Sequence, residues 1–174
     1  LAGQMSLFDL VSEEEKKEFE IRMPNVEEYN KEELLSLLTW ADSVCIGSGL
    51  GMSRLSEKIL KTVIEYVKVP CLIDADGLNL LAENKNYLNQ MAERRFVITP
   101  HMKEMSRLTG TPVEELKADR IQILKDFISR YRITCVLKDS RTLIASEEKG
   151  IRMNLTGNSA MAKAGSGDVL AGVI

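Results

Sequence analysis

Four short polar segments each follow an apolar run, and their residue types are those that bind phosphate groups, metal ions and hydroxyl groups. They contain glycines, carboxylates, two lysines and the only histidine of the chain. The segments are residues 47–51, 74–79, 99–104 and 138–142. In an open α/β sheet, ligands bind beyond the carboxyl ends of the strands. The pattern therefore predicts a binding crevice at which the four segments meet.

A fifth segment, residues 154–172, is rich in glycine and leads into an apolar run that begins near Asp168. Backbone amides at the start of a helix bind anions, so phosphate is the natural ligand of such a loop. The loop is not of the Walker A type, because Ala162 and Ala164 depart from that motif. The glycines of residues 47–51 lack the dinucleotide fingerprint, because Met52 stands where that motif needs glycine.

Asp168 has two explanations that its spacing alone leaves open. A carboxylate in the first turn of a helix is an ordinary capping or dipole-stabilising residue. Beside a phosphate-binding loop, the same carboxylate can accept the proton of an attacking hydroxyl group. His101, Asp74, Asp76 and Glu104 have similar structural explanations, as a loop histidine, turn formers and a solvated helix residue.

The elements that must position these segments alternate regularly along the chain. Strands are predicted at residues 44–46, 71–73, 97–99 and 135–137, with helices over residues 31–40, 54–67, 79–93 and 113–132. This alternation is typical of an α/β fold with a mainly parallel sheet, because parallel strands need crossover connections. Residues 142–146 and 151–154 flank a polar turn and predict a hairpin near the end of the sheet.

The composition excludes several classes of protein. With 174 residues, 44% hydrophobic residues and a net charge of −3, the chain is neither a disordered tail nor a basic nucleic-acid binder. Its apolar runs are shorter than a membrane span, and a secretory leader is not evident. Cys45, Cys71 and Cys135 all lie in apolar runs, which predicts three reduced core thiols in a cytoplasmic protein. We expect a single domain over residues 1–174.

Taken together, the segments resemble the NAD(P)H-hydrate dehydratase family. The resemblance covers about residues 41–174, in which the matching segments occur in the family's order: IGSGLG, LIDADGLNLL, VITPHMKEMSRLTG, VLKDSRTLIAS and LTGNSAMAKAGSGDVLAGVI. It implies a ribokinase-like fold, three layers α/β/α around a mainly parallel sheet. Family domains extend further at both ends, so the resemblance also implies that this is one partial domain, truncated at both ends.

The resemblance implies a lyase that repairs NADHX and NADPHX, the hydrated forms of NADH and NADPH. ADP, or ATP, together with Mg²⁺ would phosphorylate the hydroxyl at C6 of the nicotinamide ring, and loss of phosphate would restore the reduced cofactor. Family members are often fused to an NAD(P)HX epimerase, so a fused or separate epimerase is an expected partner. A homo-oligomer is allowed, whereas nucleic acid and membrane partners are not expected.

Roles for individual residues follow from the same resemblance. Asp168 would accept the hydroxyl proton, or accept a hydrogen bond that orients the hydroxyl group. The backbone amides of Gly165, Ser166 and Gly167 would bind the transferred phosphoryl group. The nucleotide would also contact Asn158 and the segment Lys138, Asp139, Ser140, Arg141 and Thr142. The hydrate would contact Gly49, Gly51, His101 and Glu104, as well as Asp168. Asp74 and Glu104 would organise Mg²⁺ through water molecules.

Two further interpretations remain beside the dehydratase. One is a small-molecule kinase of the same superfamily, acting on hydroxyethylthiazole, a vitamer or a sugar. The other is a degenerate nucleotide-binding module without catalysis, which is favoured by one departure from the family pattern. Asp139 and Ser140 stand where the family usually has a Gly-Ala pair, and Asp139 places a negative charge beside the expected nucleotide phosphates.

Overall fold

The computed structural model describes residues 29–92, 94–156 and 165–174, and the fold below concerns the unit Lys31–Ile174. Among these residues, helices and strands alternate as the sequence predicts. The helices are α1 (Lys31–Trp40), α2 (Arg54–Tyr66), α3 (Asp76–Glu83), α4 (Asn86–Gln90), α5 (Met102–Thr109), α6 (Val113–Ala118), α7 (Arg120–Tyr131) and α8 (Ser166–Val173). The strands are β1 (Val44–Ile46), β2 (Cys71–Ile73), β3 (Phe96–Ile98), β4 (Thr134–Leu137), β5 (Leu143–Ser146) and β6 (Gly150–Met153).

The described strands form one sheet in the order β1-β2-β3-β4-β5-β6. Strands β1 to β4 are parallel, whereas β5 and β6 continue the sheet as an antiparallel hairpin. This confirms the α/β fold with a mainly parallel sheet. Because these four strands run parallel, their carboxyl ends lie at one edge of the sheet, and helices connect each strand to the next.

The two faces of the parallel sheet differ in burial. Register places Ile46, Ile73, Ile98 and Cys135 in one row, of which the last three are fully buried. Side chains of the adjacent row point to the opposite face of the sheet. In that row Leu72 is buried, but Cys45 on the edge strand β1 is exposed. The expectation of three core thiols is therefore wrong for Cys45, which is exposed on the edge strand of the described sheet.

Two predicted helices are each broken into two. The pattern over residues 79–93 forms α3 and α4, and α3 begins earlier, at Asp76. The pattern over residues 113–132 forms α6 and α7, which meet at Asp119. The Asp119 carboxylate accepts a hydrogen bond from the Gln122 amide at 3.3 Å, so this side chain starts a new helix instead of continuing the first.

Helices α1 to α7 pack against a continuous apolar core. Leu60, Ile64, Leu81, Met105 and Leu124 are each fully buried in it, on four different helices. In contrast, α8 buries none of its residues, and Val169 and Val173 are both largely exposed. None of the helices in the described part of the chain is both long enough and apolar enough to cross a bilayer.

Candidate functional site

Backbone hydrogen bonds join the polar segments at the carboxyl edge of the sheet. The Asp74 amide donates to the Ile46 carbonyl, and the Thr99 amide donates to the Ile73 carbonyl. The Lys138 amide donates to the Pro100 carbonyl, and a parallel bridge pairs His101 with Lys138. The segments that follow β1 to β4 are thus held side by side, as the sequence predicts.

The centre of this edge is an ion pair between Lys138 and Asp74. Lys138 Nζ lies 2.7 Å from Asp74 Oδ1, and the Asp74 side chain is only 4% exposed. Lys138 keeps 23% of its side chain exposed, so its ammonium group is accessible from the edge. A buried carboxylate is costly unless it is paired, so Lys138 compensates the charge of Asp74. The pair connects the end of β2 to the end of β4.

Helix α8 begins against this ion pair. A Cβ atom added to Gly167 would lie 3.7 Å from Asp74 Oδ2 and 4.0 Å from Lys138 Nζ, which places the first turn of α8 beside both groups. Gly165 precedes the helix with a φ of 82°, a conformation that glycine adopts without strain. Free amides at a helix start and an ammonium group together favour an anion such as phosphate.

Asp168 lies in the first turn of α8 and is exposed. The residue preceding the helix is Gly165, and among the described residues no side chain caps the helix start. The capping role considered for Asp168 is therefore not seen, although its charge still favours the helix dipole. The carboxylates of Asp168 and Asp74 both raise the pKa of Cys45 electrostatically, so both lie near its thiol.

The segment of residues 47–51, termed the glycine loop below, is packed tightly against the end of β2. Gly47 has a φ of 126°, and a Cβ atom there would lie 1.8 Å from the Asp74 carbonyl oxygen. At the other end of the loop, the Gly51 amide donates to Asp76 Oδ2 at 2.8 Å. Among the described residues, nothing lies within 4 Å of a Cβ atom added to Gly49, so none of them covers the middle of the loop.

His101 and Glu104 form a capping box at the start of α5. The His101 ring nitrogen Nδ1 accepts hydrogen bonds from the amides of Lys103 and Glu104, each at 3.1 Å. In return, Glu104 Oε2 accepts from the His101 amide at 2.7 Å, and Oε1 lies 3.5 Å from Nε2 of the ring. Glu104 is buried, whereas about half of the His101 side chain is exposed. This geometry gives both residues a structural role, and their contacts to substrate stay predictions.

The segment after β4 carries the charge that departs from the family pattern. Asp139 Oδ2 lies 2.6 Å from Nη1 of Arg120, at the start of α7. Arg120 therefore neutralises the carboxylate locally, which the sequence alone did not reveal. Ser140 and Arg141 are exposed beside it, and the Thr142 hydroxyl donates to the Asp139 carbonyl. Asn158 lies outside the described residues.

The edge fits a phosphate group better than a metal ion bound by protein alone. Among the described residues, no three His, Cys, Asp or Glu side chains lie close enough to hold a metal. Mg²⁺ is commonly held by one or two carboxylates together with phosphate oxygens and water. Asp74 fits that role, because its second oxygen faces Gly167. Both oxygens of Glu104 face His101, so the geometry does not support the predicted contact between Glu104 and Mg²⁺.

Cys45 reports on the charges of this site. Partial desolvation raises the pKa of its thiol, and the carboxylates of Asp74 and Asp168 raise it further. A raised pKa means less thiolate, so alkylation of Cys45 by iodoacetamide is expected to be slower than in the unfolded chain at the same pH. Burial raises the pKa of Cys71 to about 12, and it also raises that of Cys135, so both are expected to resist alkylation.

The substitution Asp168→Asn removes one of these negative charges and is expected to speed the alkylation of Cys45. Peptide mapping by mass spectrometry after timed alkylation measures the rate at each cysteine. Asp42→Asn is the matched control, because Asp42 is exposed near Cys45 in sequence but does not act on its pKa. If the alkylation rate of Cys45 is the same in Asp168→Asn as in the wild type, the Asp168 carboxylate does not act on this thiol.

The fold and the phosphate-compatible edge define a ribokinase-like protein, and comparison with solved structures agrees. A ribokinase-like superfamily protein from Enterococcus faecalis matches with a TM-score of 0.68 and 30% identity, over 80% of this chain and 48% of that one. The ADP/ATP-dependent NAD(P)H-hydrate dehydratase of Bacillus subtilis, crystallised with ATP and Mg²⁺, matches with a TM-score of 0.61 and 31% identity. The match covers 75% of this chain and 45% of that one. A hydroxyethylthiazole kinase from Pyrococcus horikoshii matches with a TM-score of 0.61 but 16% identity, over 83% and 57%, and so shares the fold.

The chain belongs to the NAD(P)H-hydrate dehydratase family, whose model matches residues 5–174. A bifunctional NAD(P)H-hydrate repair enzyme from Thermofilum pendens is 40% identical over 147 residues, covering 83% of this chain and 28% of the relative. An ADP-dependent (S)-NAD(P)H-hydrate dehydratase from Neisseria meningitidis is 38% identical over 133 residues, covering 74% of this chain and 44% of the relative. The chain thus spans less than half the length of these curated relatives.

Proposed function

We propose that the protein dehydrates NADHX and NADPHX to NADH and NADPH, with ADP or ATP as the phosphoryl donor. The observation that carries the proposal is the convergence of Lys138, Asp74 and the first turn of α8 at the carboxyl edge of the sheet. This arrangement supplies a cation and free amides for a phosphoryl group, with the Asp168 carboxylate nearby for a hydroxyl group. The names of the relatives supply the choice of substrate.

The first step is phosphoryl transfer to the C6 hydroxyl of the hydrate. Asp168 accepts the hydroxyl proton while the oxygen forms a bond to the terminal phosphorus of the donor. The bond between that phosphorus and the bridging oxygen breaks, so ADP leaves as AMP. The amides of Gly165, Ser166 and Gly167 and the ammonium of Lys138 stabilise the negative charge on the transferring group. Mg²⁺ held near Asp74 would neutralise phosphate charge during this step.

The second step is elimination of the new phosphate ester. The lone pair of the ring nitrogen expels phosphate by breaking the C6–O bond, and loss of a proton from C5 then restores the dihydronicotinamide. Phosphate is a much better leaving group than hydroxide, which explains why the reaction consumes a phosphoryl donor. The roles proposed for Gly49, Gly51, His101 and Glu104 are to bind the hydrate beside this centre.

The nucleotide is proposed to extend from Lys138 along Asp139, Ser140, Arg141 and Thr142, and to contact Asn158. The ion pair between Arg120 and Asp139 supports this placement, because it removes the uncompensated charge that would repel the phosphates. We also propose that the protein is cytoplasmic. An epimerase, fused to it or separate, would interconvert the epimers of the hydrate.

An assay with purified NADHX tests the function in the complete natural chain that contains these residues. With Mg²⁺ and either ADP or ATP, the dihydronicotinamide absorbance is expected to return, with AMP and phosphate as co-products when ADP is used. Omitting the nucleotide is the control and should abolish turnover. Accumulation of a phosphorylated substrate without recovery of NADH would instead indicate a kinase, and nucleotide binding without turnover would indicate a binding module.

A further inference from the structure

The turn between β2 and α3 is strained at a residue that is not glycine. Ala75 has a φ of 47° and a ψ of −119°, a combination that side-chain-bearing residues rarely adopt. Such a conformation persists only when the surrounding structure determines it, and it concentrates at functional sites. The turn carries Asp74 on one side of Ala75 and Asp76 on the other.

The two carboxylates reach different neighbours. Asp74 pairs with Lys138 at the end of β4, whereas Asp76 Oδ2 accepts the Gly51 amide hydrogen bond from the loop after β1. The turn also closes on itself, because the Gly77 amide donates to the Asp74 carbonyl at 3.0 Å. Gly77 itself permits the close packing, since a Cβ atom there would lie 2.7 Å from Ile73 Cγ2. One short turn thus connects three of the four loops at the edge.

The glycine loop is anchored near one end and open in its middle. Besides the bond to Asp76, the Ser56 hydroxyl donates to the Leu50 carbonyl at 2.7 Å. Ser48 and Gly49 are exposed. A loop that is packed tightly at Gly47 and anchored by a hydrogen bond at Gly51 presents its backbone to a ligand in one orientation, which lowers the entropy lost on binding.

We propose that Asp76 is a positioning residue that fixes the glycine loop against the hydrate substrate. This inference rests on the function proposed above. Asp76 acts through the Gly51 amide and does not touch the reacting atoms. What it must supply is an acceptor oxygen at the correct distance, and its negative charge is dispensable. This separates it from a metal-binding or acid–base carboxylate, for which the charge is essential.

Two substitutions of Asp76 distinguish the effect of side-chain length from the effect of side-chain charge. Asp76→Asn keeps an acceptor oxygen at the same reach but removes the charge, and it is expected to retain nearly normal kinetics. Asp76→Glu keeps the charge but adds one methylene group, which displaces the glycine loop. For Asp76→Glu we expect kcat/KM for the hydrate to fall on the order of 10-fold to 100-fold, since small misplacements of binding groups are costly.

The measurements distinguish positioning from a general loss of structure. In Asp76→Glu, the KM for the hydrate should rise while the KM for ADP stays unchanged, and the melting temperature should remain close to that of the wild type. Hydrogen exchange at the Gly51 amide gives a readout independent of activity and should be faster in Asp76→Ala than in Asp76→Asn. Equal Gly51 exchange in these two variants would show that the hydrogen bond does not hold the loop.

The opposite ranking of the kinetic variants would overturn the proposal. If Asp76→Glu is active and Asp76→Asn is inactive, the charge of Asp76 is what matters, and the residue is not a positioning group. A wild-type protein without turnover of NADHX under either nucleotide would count against the proposed function instead. In that case the exchange rate of Gly51 still decides whether Asp76 fixes the loop.

Discussion

Replacing Asp168 by asparagine is expected to lower NADHX dehydration on the order of 10²-fold to 10⁴-fold, the usual contribution of a positioned acid–base group. The substitution keeps the size of the side chain but removes its charge and most of its basicity. Asp168 stands in the first turn of α8, next to the glycine that faces Asp74 and Lys138. The hydroxyl of the hydrate would therefore lose the group that accepts its proton.

Nucleotide binding and stability provide the controls for this variant. The affinity for ADP should change little, because amides and Lys138 bind the phosphates. The melting temperature should also change little, because Asp168 is exposed and caps no helix. Turnover, ADP binding and melting are measured on the same preparation. Near-normal turnover with a lower melting temperature would assign Asp168 a purely structural role.

The fold was predictable because its signals are local in the sequence. Buried parallel strands are short apolar runs, and crossover helices carry amphipathic patterns, so alternation of the two defines an α/β sheet. Thr99 and Lys138 each follow a strand in sequence, and parallel pairing then brings them to one edge. The break at Asp119 was not predicted, because an apolar pattern that continues on both sides conceals a capping side chain.

The details of the site depend on contacts between segments that are distant in sequence. Asp76 and Gly51 are 25 residues apart, and Arg120 and Asp139 are 19 residues apart, so no local sequence pattern predicts either pair. The capping box of His101 and Glu104 has the spacing of a known motif, yet histidine is not among its usual first residues. Residue types therefore indicated where the site lies, whereas hydrogen-bond partners had to come from the structure.

Replacing Lys138 by methionine is expected to lower the free energy of unfolding by about 3 kcal/mol, the lower end of the cost of breaking a buried ion pair. The Asp74 side chain is 4% exposed and would be left buried without its ionic partner. The cost falls at the lower end because Lys138 is 23% exposed, so water screens part of the interaction. Asp74→Asn should cost less, because the Lys138 ammonium that it leaves unpaired can reach water.

The double substitution Asp74→Asn with Lys138→Met separates the structural role of the pair from its role in binding. Stability should largely recover, because no charge is left buried, whereas the affinity for ADP should stay low because the ammonium group is gone. Urea unfolding and calorimetric titration with ADP measure the two quantities. Recovery of ADP affinity together with stability would mean that Lys138 only neutralises Asp74. A persistent loss that Asp74→Asn alone does not show would assign the Lys138 ammonium directly to the phosphates, since the amides of α8 alone would then be insufficient to hold them.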